Sequence, residues 1–185
     1  MTEVAFHFNA PDKLAYACRF ARKVQRSGAR LVITAPAEAL ETLDRMLWAM
    51  APQDFVAHCR SDADEELVLA SPVLLAVDAR SSAHHEVLLN LHAEVPEGFG
   101  RFDRLVEVVS AQDELDRGEA RARWRSVLEP VVLQAGQVLY ESGCRQSHAY
   151  LPSNAIVSPL YVTETGKTAD TAVVGREGVI GIALF

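Results

Sequence analysis

The stretch Leu31-Val32-Ile33-Thr34 decides the fold class, because it is a short apolar, β-branched run bounded by Gly28 and Pro36. Such a run between turn residues is typical of a strand buried on both faces of a parallel sheet. An amphipathic helical pattern stands on each side of it. The apolar positions of the two patterns, all expected to face inward, are Leu14, Ala17, Cys18, Ala21 and Val24 before the strand and Leu40, Leu43, Leu47 and Trp48 after it.

Five further runs have the same character, and each predicts a strand: residues 4–8, 55–59, 73–77, 87–91 and 105–109. Residues 62–66 contain four carboxylates and predict an exposed acidic loop. Strands that alternate with helices predict a three-layer α/β domain with a mostly parallel sheet.

The composition is that of a globular protein, with 185 residues, 49% of them hydrophobic and 23% charged, and a net charge of −7. The negative charge argues against broad affinity for nucleic acid. No run approaches the ~18 apolar residues of a membrane span, and the first residues lack the pattern of a signal peptide. Three widely spaced cysteines, Cys18, Cys59 and Cys144, argue against a disulfide framework or a zinc cluster. We therefore expect a cytoplasmic protein.

The composition changes after Arg125. Up to that residue the chain has 15 basic and 20 acidic residues, and beyond it only 3 basic and 5 acidic ones. The later part shows short apolar runs separated by turn residues, which is an all-β pattern. We predict a boundary at 126–130, with an α/β domain over 1–128 and an all-β segment over 129–185.

The sequence lacks the usual signatures of a nucleotide, metal or catalytic site. No strand is followed by Gly-x-Gly-x-x-Gly, and Gly98-Phe99-Gly100 precedes a predicted strand instead of a helix. Thr165-Gly166-Lys167-Thr168 imitates the end of a P-loop, but Tyr161 stands where its first glycine belongs. His84-His85 has no metal-ligand spacing and is expected at the surface. We expect no catalytic residues, no cofactor and no metal, and we therefore predict a binding module. The alternative is a nucleotide-dependent enzyme on a Rossmann-like fold.

Residues 113–125 predict a helix with a basic face, because Asp113 can cap it and arginines crowd its last turns. Arg117, Arg121 and Arg125 recur every fourth residue, and Trp124 stands beside them. Four cations, Arg123 included, and an indole can bind an acidic and aromatic ligand. The alternative is a solvated helix whose tryptophan belongs to the core. Spacing alone leaves both interpretations open.

Several stretches together resemble one family. They include Phe6-His7-Phe8, Leu43-Asp44-x-x-Leu47-Trp48, Phe55-Val56-Ala57-His58 and Leu88-Leu89-Asn90-Leu91. In this order and spacing, residues 1 to about 125 resemble the chi subunit of bacterial DNA polymerase III holoenzyme. The resemblance implies a mononucleotide-binding-like topology and a non-catalytic subunit of a DNA-directed DNA polymerase. It also implies that the protein binds a second subunit, psi, and through it links the clamp loader to the acidic tail of single-stranded-DNA-binding protein, which ends in phenylalanine. Contact with DNA is then only indirect.

The resemblance carries over to particular residues. Trp48 and Phe55 match the aromatic positions that face psi, with burial in the core as the alternative for both. The tail of single-stranded-DNA-binding protein is assigned to Arg117, Arg121, Trp124, Arg125 and Val109. The sequence departs from the family after Arg125, where Ser126-Val127-Leu128-Glu129-Pro130 follows.

The later segment resembles a second family. Leu133-x-x-Gly136-x-Val138-Leu139-Tyr140-x-x-Gly143 and Val174-Gly175-x-Glu177-Gly178 are similar to the first half of the β-roll of catabolite-activator-type regulators. The phosphate cassette and the DNA-reading helices of that family lie beyond Phe185, so the resemblance implies a partial β-roll without cyclic nucleotide. A ligand-sensing transcription-regulator fragment is the corresponding alternative function.

Overall fold

The structure is a computed structural model and divides into two compact units, Met1–Ser126 and Val127–Phe185. The first contains a parallel sheet with helices, and the second contains antiparallel pairings. The structure describes residues 2–50, 55–80, 82–110, 122, 124, 127, 129–141, 150–158, 160–162, 168–170, 173–176 and 180.

One six-stranded sheet organises the first unit. Its strands are β1 (Glu3–Ala10), β2 (Leu31–Thr34), β3 (His58–Arg60), β4 (Val73–Ala76), β5 (Val87–Asn90) and β6 (Arg104–Ser110). Their spatial order is β1-β6-β5-β2-β4-β3, and each neighbouring pair is parallel. The predicted α/β class is confirmed, with a sheet that is wholly parallel. β3 begins three residues later than predicted, so Phe55 lies in the loop that precedes it.

The α-helices that lie wholly within the described residues are α1 (Lys13–Ser27), α2 (Ala37–Trp48) and α3 (Glu65–Ala70). The Asp12 side chain caps α1 by accepting hydrogen bonds from the backbone N–H groups of Leu14 and Ala15, at 2.8 and 3.0 Å. Gly28 ends α1 in the left-handed conformation, with φ of 80°. No helix among the described residues is long and apolar enough to cross a membrane.

The prediction of an acidic loop over 62–66 is wrong for its second half. Glu65 and Glu66 form the first turn of α3. Acidic side chains are stabilised by the positive, N-terminal end of a helix dipole. A cluster of carboxylates is therefore compatible with the start of a helix as well as with an exposed loop. Asp62 lies before α3 and is exposed.

The main core lies where α1 and α2 pack on the sheet. Its strand residues are Ala5, Leu31, Ile33, Val73, Leu75, Leu89, Val106 and Val108, and its helix residues include Ala17, Ala21, Leu40, Leu43 and Leu47. Side chains alternate along a strand, so Phe6 points to the opposite face of the sheet from Ala5. There the Phe6 ring meets the Trp124 ring edge-on, with centroids 6.1 Å apart. Both faces of β1 are therefore covered, as the all-parallel topology requires.

His84 is buried, which contradicts the expectation that the His84-His85 pair lies at the surface; only His85 is exposed. The His84 ring Nε2 lies 2.7 Å from the Ser71 carbonyl, and its Nδ1 lies 3.4 Å from the Arg30 guanidinium. A carbonyl only accepts, so Nε2 donates the hydrogen bond to the Ser71 oxygen. Arg30 and Ser71 are far from His84 in sequence, and they supply hydrogen-bond partners for its two ring nitrogens. The residues next to His84 in the sequence therefore do not predict its burial.

The described part of the second unit is a set of antiparallel pairings. Strand β7 (Leu160–Val162) pairs with β8 (Thr168–Asp170). Isolated bridges join Tyr150 to Ile180 and Val157 to Val174. The described residues of this unit contain no helix, which agrees with the all-β pattern of its sequence.

Candidate functional site

Trp48 and Phe55 form an exposed aromatic pair on the surface of the first unit. Their rings lie 5.4 Å apart between centroids, and they are 60% and 53% exposed. The expectation that Trp48 faces inward is wrong. Leu40, Leu43 and Leu47 form the buried stripe of α2, and Trp48 lies about 100° around the helix axis from Leu47, at the edge of that stripe.

The aromatic pair stands on a buried histidine. The His58 ring lies 5.2 Å from the Trp48 ring, and its side chain has no exposed surface. Its Nδ1 lies 2.6 Å from the Val56 carbonyl oxygen, and its Nε2 lies 3.3 Å from a carboxylate oxygen of Asp44. Asp44 and Trp48 are one turn apart on α2, so one helix supplies both the carboxylate and the indole. The motif that carries the family resemblance thus comes together at one place.

Trp124 and Val109 are both fully buried. The Trp124 ring meets the Phe99 ring edge-on at 5.3 Å, in addition to its contact with Phe6. The indole N–H has no acceptor among the described residues. The structure therefore follows the core interpretation of this tryptophan, and Trp124 presents no exposed ring to the tail to which the resemblance assigns it. Arg117, Arg121 and Arg125 lie outside the described residues.

A buried polar network lies where β2 and β5 end, beside the middle of β6, and sequence reasoning missed it. The Asn90 side chain donates to the Glu107 carboxylate at 2.9 Å and to the Glu94 carbonyl at 3.0 Å. Its oxygen accepts from the Thr34 hydroxyl at 3.2 Å and from the His92 backbone N–H at 3.1 Å. The carboxyl ends of parallel strands are where α/β domains commonly bind ligands. Here the side-chain nitrogen and oxygen of Asn90 are both occupied by hydrogen bonds within the protein, including two to the loop that follows β5. The network is therefore structural.

His7 is another titratable group of the first unit, and it is partly buried. Its ring lies against Tyr16 and Phe20 on α1, and its Nδ1 is hydrogen-bonded to the Tyr16 hydroxyl. Burial lowers the pKa of His7 to about 4, and the nearby Arg104 and Lys23 act in the same direction. Burial also raises the pKa of the Tyr16 hydroxyl. His7 is therefore neutral at physiological pH.

The other motifs singled out in the sequence form no site within the described residues. Gly98, at φ 77°, opens a single 3-10 turn (Phe99–Arg101) before β6, so Gly98-Phe99-Gly100 is a turn against Arg80. No group of three or more metal-ligand side chains occurs in the part of the chain that the structure describes. Of the P-loop-like stretch, residues 165–167 lie outside the described ranges, and Thr168 begins β8.

The first unit is thus an all-parallel α/β domain with an exposed aromatic pair on its surface, in which the Trp48 ring lies against the buried His58 ring. A family model described as "DNA polymerase III chi subunit, HolC" matches residues 1–130. The chain therefore belongs to the DNA polymerase III chi subunit family.

Two curated relatives agree with this assignment. The DNA polymerase III subunit chi of Pseudomonas aeruginosa strain PAO1 is 30% identical over 130 residues, which cover 68% of this chain and 88% of the relative. The subunit chi of Haemophilus influenzae strain Rd is 30% identical over 114 residues, which cover 60% of this chain and 76% of the relative. Residues 131–185 lie outside the family model.

Proposed function

We propose that this protein is a non-catalytic accessory subunit of DNA polymerase III that tethers the clamp loader, through psi, to single-stranded-DNA-binding protein. The observation that carries the proposal is the exposed Trp48–Phe55 pair on a domain of the chi family. Large aromatic side chains that remain exposed together are uncommon on a free surface and are enriched at the centres of protein interfaces.

Trp48 and Phe55 are assigned to the psi interface. The pair offers two rings at a tilt of 46°, and the buried His58 ring lies against the Trp48 ring at 5.2 Å. A rigid support reduces the side-chain entropy that a partner must remove on binding, so the pair is preorganised for a hydrophobic contact. An aromatic anchor of this kind typically contributes about 2 kcal/mol or more, which is roughly 30-fold in affinity.

Arg117, Arg121 and Arg125 are assigned to the tail of single-stranded-DNA-binding protein. In the helix that the sequence predicts over 113–125, their spacing would put three guanidinium groups on one face, suited to the aspartates and the terminal carboxylate of that ligand. Trp124 and Val109 belong to the same site as its buried floor. The contacts of Trp124 with Phe6 and Phe99 hold the end of this segment against the sheet. The guanidinium groups then recognise the acidic tail, and Trp124 fixes the segment that carries them.

The proposal gives the two partners separate surfaces, and one experiment tests both. The affinity of the full chain is measured by calorimetry for purified psi and for a synthetic acidic peptide that ends in phenylalanine. We expect Trp48→Ala to weaken psi binding by about 30-fold or more while peptide binding is unchanged. We expect Arg125→Ala to weaken peptide binding about ten- to a hundredfold while psi binding is unchanged.

Each variant serves as the folding control for the other, because an unfolded protein would lose both partners. Peptide binding should also weaken as salt rises, because the attraction is between exposed charges. Equal loss of both partners in both variants, or no binding of either partner by the wild type, would refute the assignment.

We propose that the α/β domain extends over 1–128 and that residues 129–185 are a partial β-roll. The division after Ser126 and the antiparallel pairing of β7 with β8 support this proposal. The segment has no assigned small-molecule ligand, and we expect no binding of cyclic nucleotide.

A further inference from the structure

The outer face of α1 is strongly basic. Because successive residues of a helix are rotated by about 100°, four cations of α1 fall within an arc of about 100°. We call these four residues the basic stripe: Arg19, Arg22, Lys23 and Arg26. Arg22 is partly exposed and the other three are exposed, and α1 contains no acidic residue. Four of the 18 lysines and arginines of the chain therefore lie within about two helical turns.

Helix stability alone does not account for the basic stripe. Like charges three or four residues apart on a helix repel each other, and positions 19 and 23 and positions 22 and 26 are such pairs. The helix dipole favours cations only near the last turn, which contains Arg26. Arg22 and Arg26 also make further contacts within the protein, so the assignment below rests first on Arg19 and Lys23. A polyanion bound along the helix would relieve the repulsion between these cations.

Aromatic rings lie along one side of the basic stripe. The Tyr16 and Phe20 rings are stacked, with centroids 6.2 Å apart and planes 19° apart, and both side chains are partly exposed. The His7 ring of β1 meets each of them edge-on, with centroids 5.6 Å apart. The guanidinium carbon of Arg19 lies 6.0 Å from the centre of the Tyr16 ring. A cation and a supported pair of rings therefore stand side by side on this surface.

A second cation of the stripe also lies near the rings. Burial is the main cause of the low pKa of His7, and the charges of Arg104 and Lys23 lower it further, which places both cations close to the His7 ring. Arg104 lies 3.8 Å from the Glu3 carboxylate, so we do not count it among the groups that recognise a ligand. The neutral His7 ring adds aromatic surface to the cluster and no charge.

We propose that the basic stripe and the Tyr16–Phe20 rings bind single-stranded DNA. The cations contact phosphate groups along the strand, and a base stacks on the aromatic rings. Sites that bind single strands without regard to sequence combine these two features. An acidic peptide would be attracted by the same charges, but it has no bases to stack, so the rings favour a nucleic acid. DNA is the strand that we assign, because the chain belongs to a family of DNA polymerase subunits.

The net charge of −7 limits the strength of this contact without excluding it. Repulsion from distant carboxylates is screened beyond about 10 Å at 0.1 M salt, whereas the stripe meets phosphates at contact distance. We expect a dissociation constant on the order of 10⁻⁵–10⁻⁴ M at low salt, in the weak range of non-specific binding. The inference goes beyond the proposed function and needs neither psi nor single-stranded-DNA-binding protein. It differs from the expectation that contact with DNA is only indirect.

The test measures binding of the full chain to a fluorescein-labelled oligothymidine of about 15 nucleotides, by fluorescence anisotropy from about 50 mM salt upward. The variants are Arg19→Ala and Lys23→Ala, and Arg45→Ala on α2 is the matched control at an exposed arginine outside the stripe. We expect each stripe variant to bind about three- to tenfold more weakly and to reduce the salt slope by about 1. Arg45→Ala should bind like the wild type. Absence of binding by the wild type at low salt, or an equal loss in Arg45→Ala, would overturn the proposal.

A second set of measurements tests the stacking. Tyr16→Phe keeps the ring and should bind like the wild type, whereas Tyr16→Leu should lose at least about fivefold in affinity. Unlabelled oligothymidine should also displace the labelled strand more effectively than an abasic strand of the same length or polyglutamate. Equal displacement by all three would show a site for any polyanion and reject the role of the rings. Stronger displacement by polyglutamate would assign the surface to an acidic protein instead. If circular dichroism shows Tyr16→Leu to be unfolded, the comparison with the abasic strand decides.

Discussion

Replacement of Phe55 by alanine separates binding from folding, because the ring is divided almost equally between solvent and protein. A phenylalanine side chain offers on the order of 200 Å² of surface. With 53% exposure, about 100 Å² is free for a partner to cover. At ~25 cal/mol per Å², that area corresponds to about 2.5 kcal/mol, or roughly 70-fold in affinity. We therefore expect Phe55→Ala to weaken psi binding by a factor of several tens, up to roughly 70.

The same substitution costs less in folding. The buried part of the ring gives an upper bound near 2.5 kcal/mol, which a partly compact unfolded chain and the retained Cβ reduce to about 1–1.5 kcal/mol. A domain with the usual stability of at least about 5 kcal/mol would remain more than about 99% folded. Loss of psi binding in this variant could then not be attributed to unfolding. Urea unfolding followed by far-ultraviolet circular dichroism measures the first quantity, and calorimetry with psi measures the second.

Leu67→Ala is the matched control for Phe55→Ala. Leu67 on α3 is 51% exposed, close to the value for Phe55, and it is likewise apolar. We expect it to lose stability by a similar or smaller amount and to bind psi like the wild type. If Leu67→Ala weakens psi as much as Phe55→Ala does, the effect is general and the aromatic pair is not the interface. If Phe55→Ala binds psi normally, the reasoning from exposed area is wrong.

Three further predictions concern stability. The free energy of unfolding should fall by about 1 kcal/mol as the pH drops from 6.5 toward 4, because His7 takes up a proton at higher pH in the unfolded chain than in the folded one; this value includes a reduction for a partly solvated ring. Urea titrations at several pH values should show a weaker pH dependence of stability in His7→Gln. His84→Leu should lower the free energy of unfolding, measured by urea titration, by about 1–3 kcal/mol, because it removes the buried partner of the Ser71 carbonyl and of the Arg30 guanidinium. The exposed His85→Leu should change little. A chain cut after Arg125 should stay folded by circular dichroism and be at least as soluble as the full chain, because the removed segment exposes apolar side chains; unfolding of the cut chain would show that the segment completes the first core.

The buried strands are the part of the fold that the sequence predicts best. Residues 31–34, 73–76 and 87–90 are short apolar runs, and each forms a strand whose side chains are almost wholly buried. Burial on both faces removes the need for a polar side, so the local sequence alone is sufficient. α1 is similarly encoded, because Asp12 and Gly28 mark both of its ends.

The errors occur where distant residues decide the outcome. His84 is buried because Arg30 and Ser71 supply partners for its two nitrogens, and nothing in residues 82–86 encodes those partners. Trp48 lies at the edge of an apolar stripe, where the helical period alone cannot separate core from surface. The Asn90–Glu107 contact joins two strands, so neither polar residue predicts it alone.

The candidate sites show the same division between pattern and packing. Resemblance to the family selects Trp48 and Phe55, and the structure adds that their rings lie together, with the buried His58 ring against Trp48 and the Asp44 carboxylate beside His58. For Trp124 the packing changes the chemical role. An indole with no exposed surface, edge-on to Phe6 and Phe99, cannot be an open wall for a ligand ring. It can fix the segment whose arginines remain the assigned recognition groups. Under the proposed function, recognition of the acidic tail would depend on charge, and Trp124 would fix the segment through its contacts with Phe6 and Phe99.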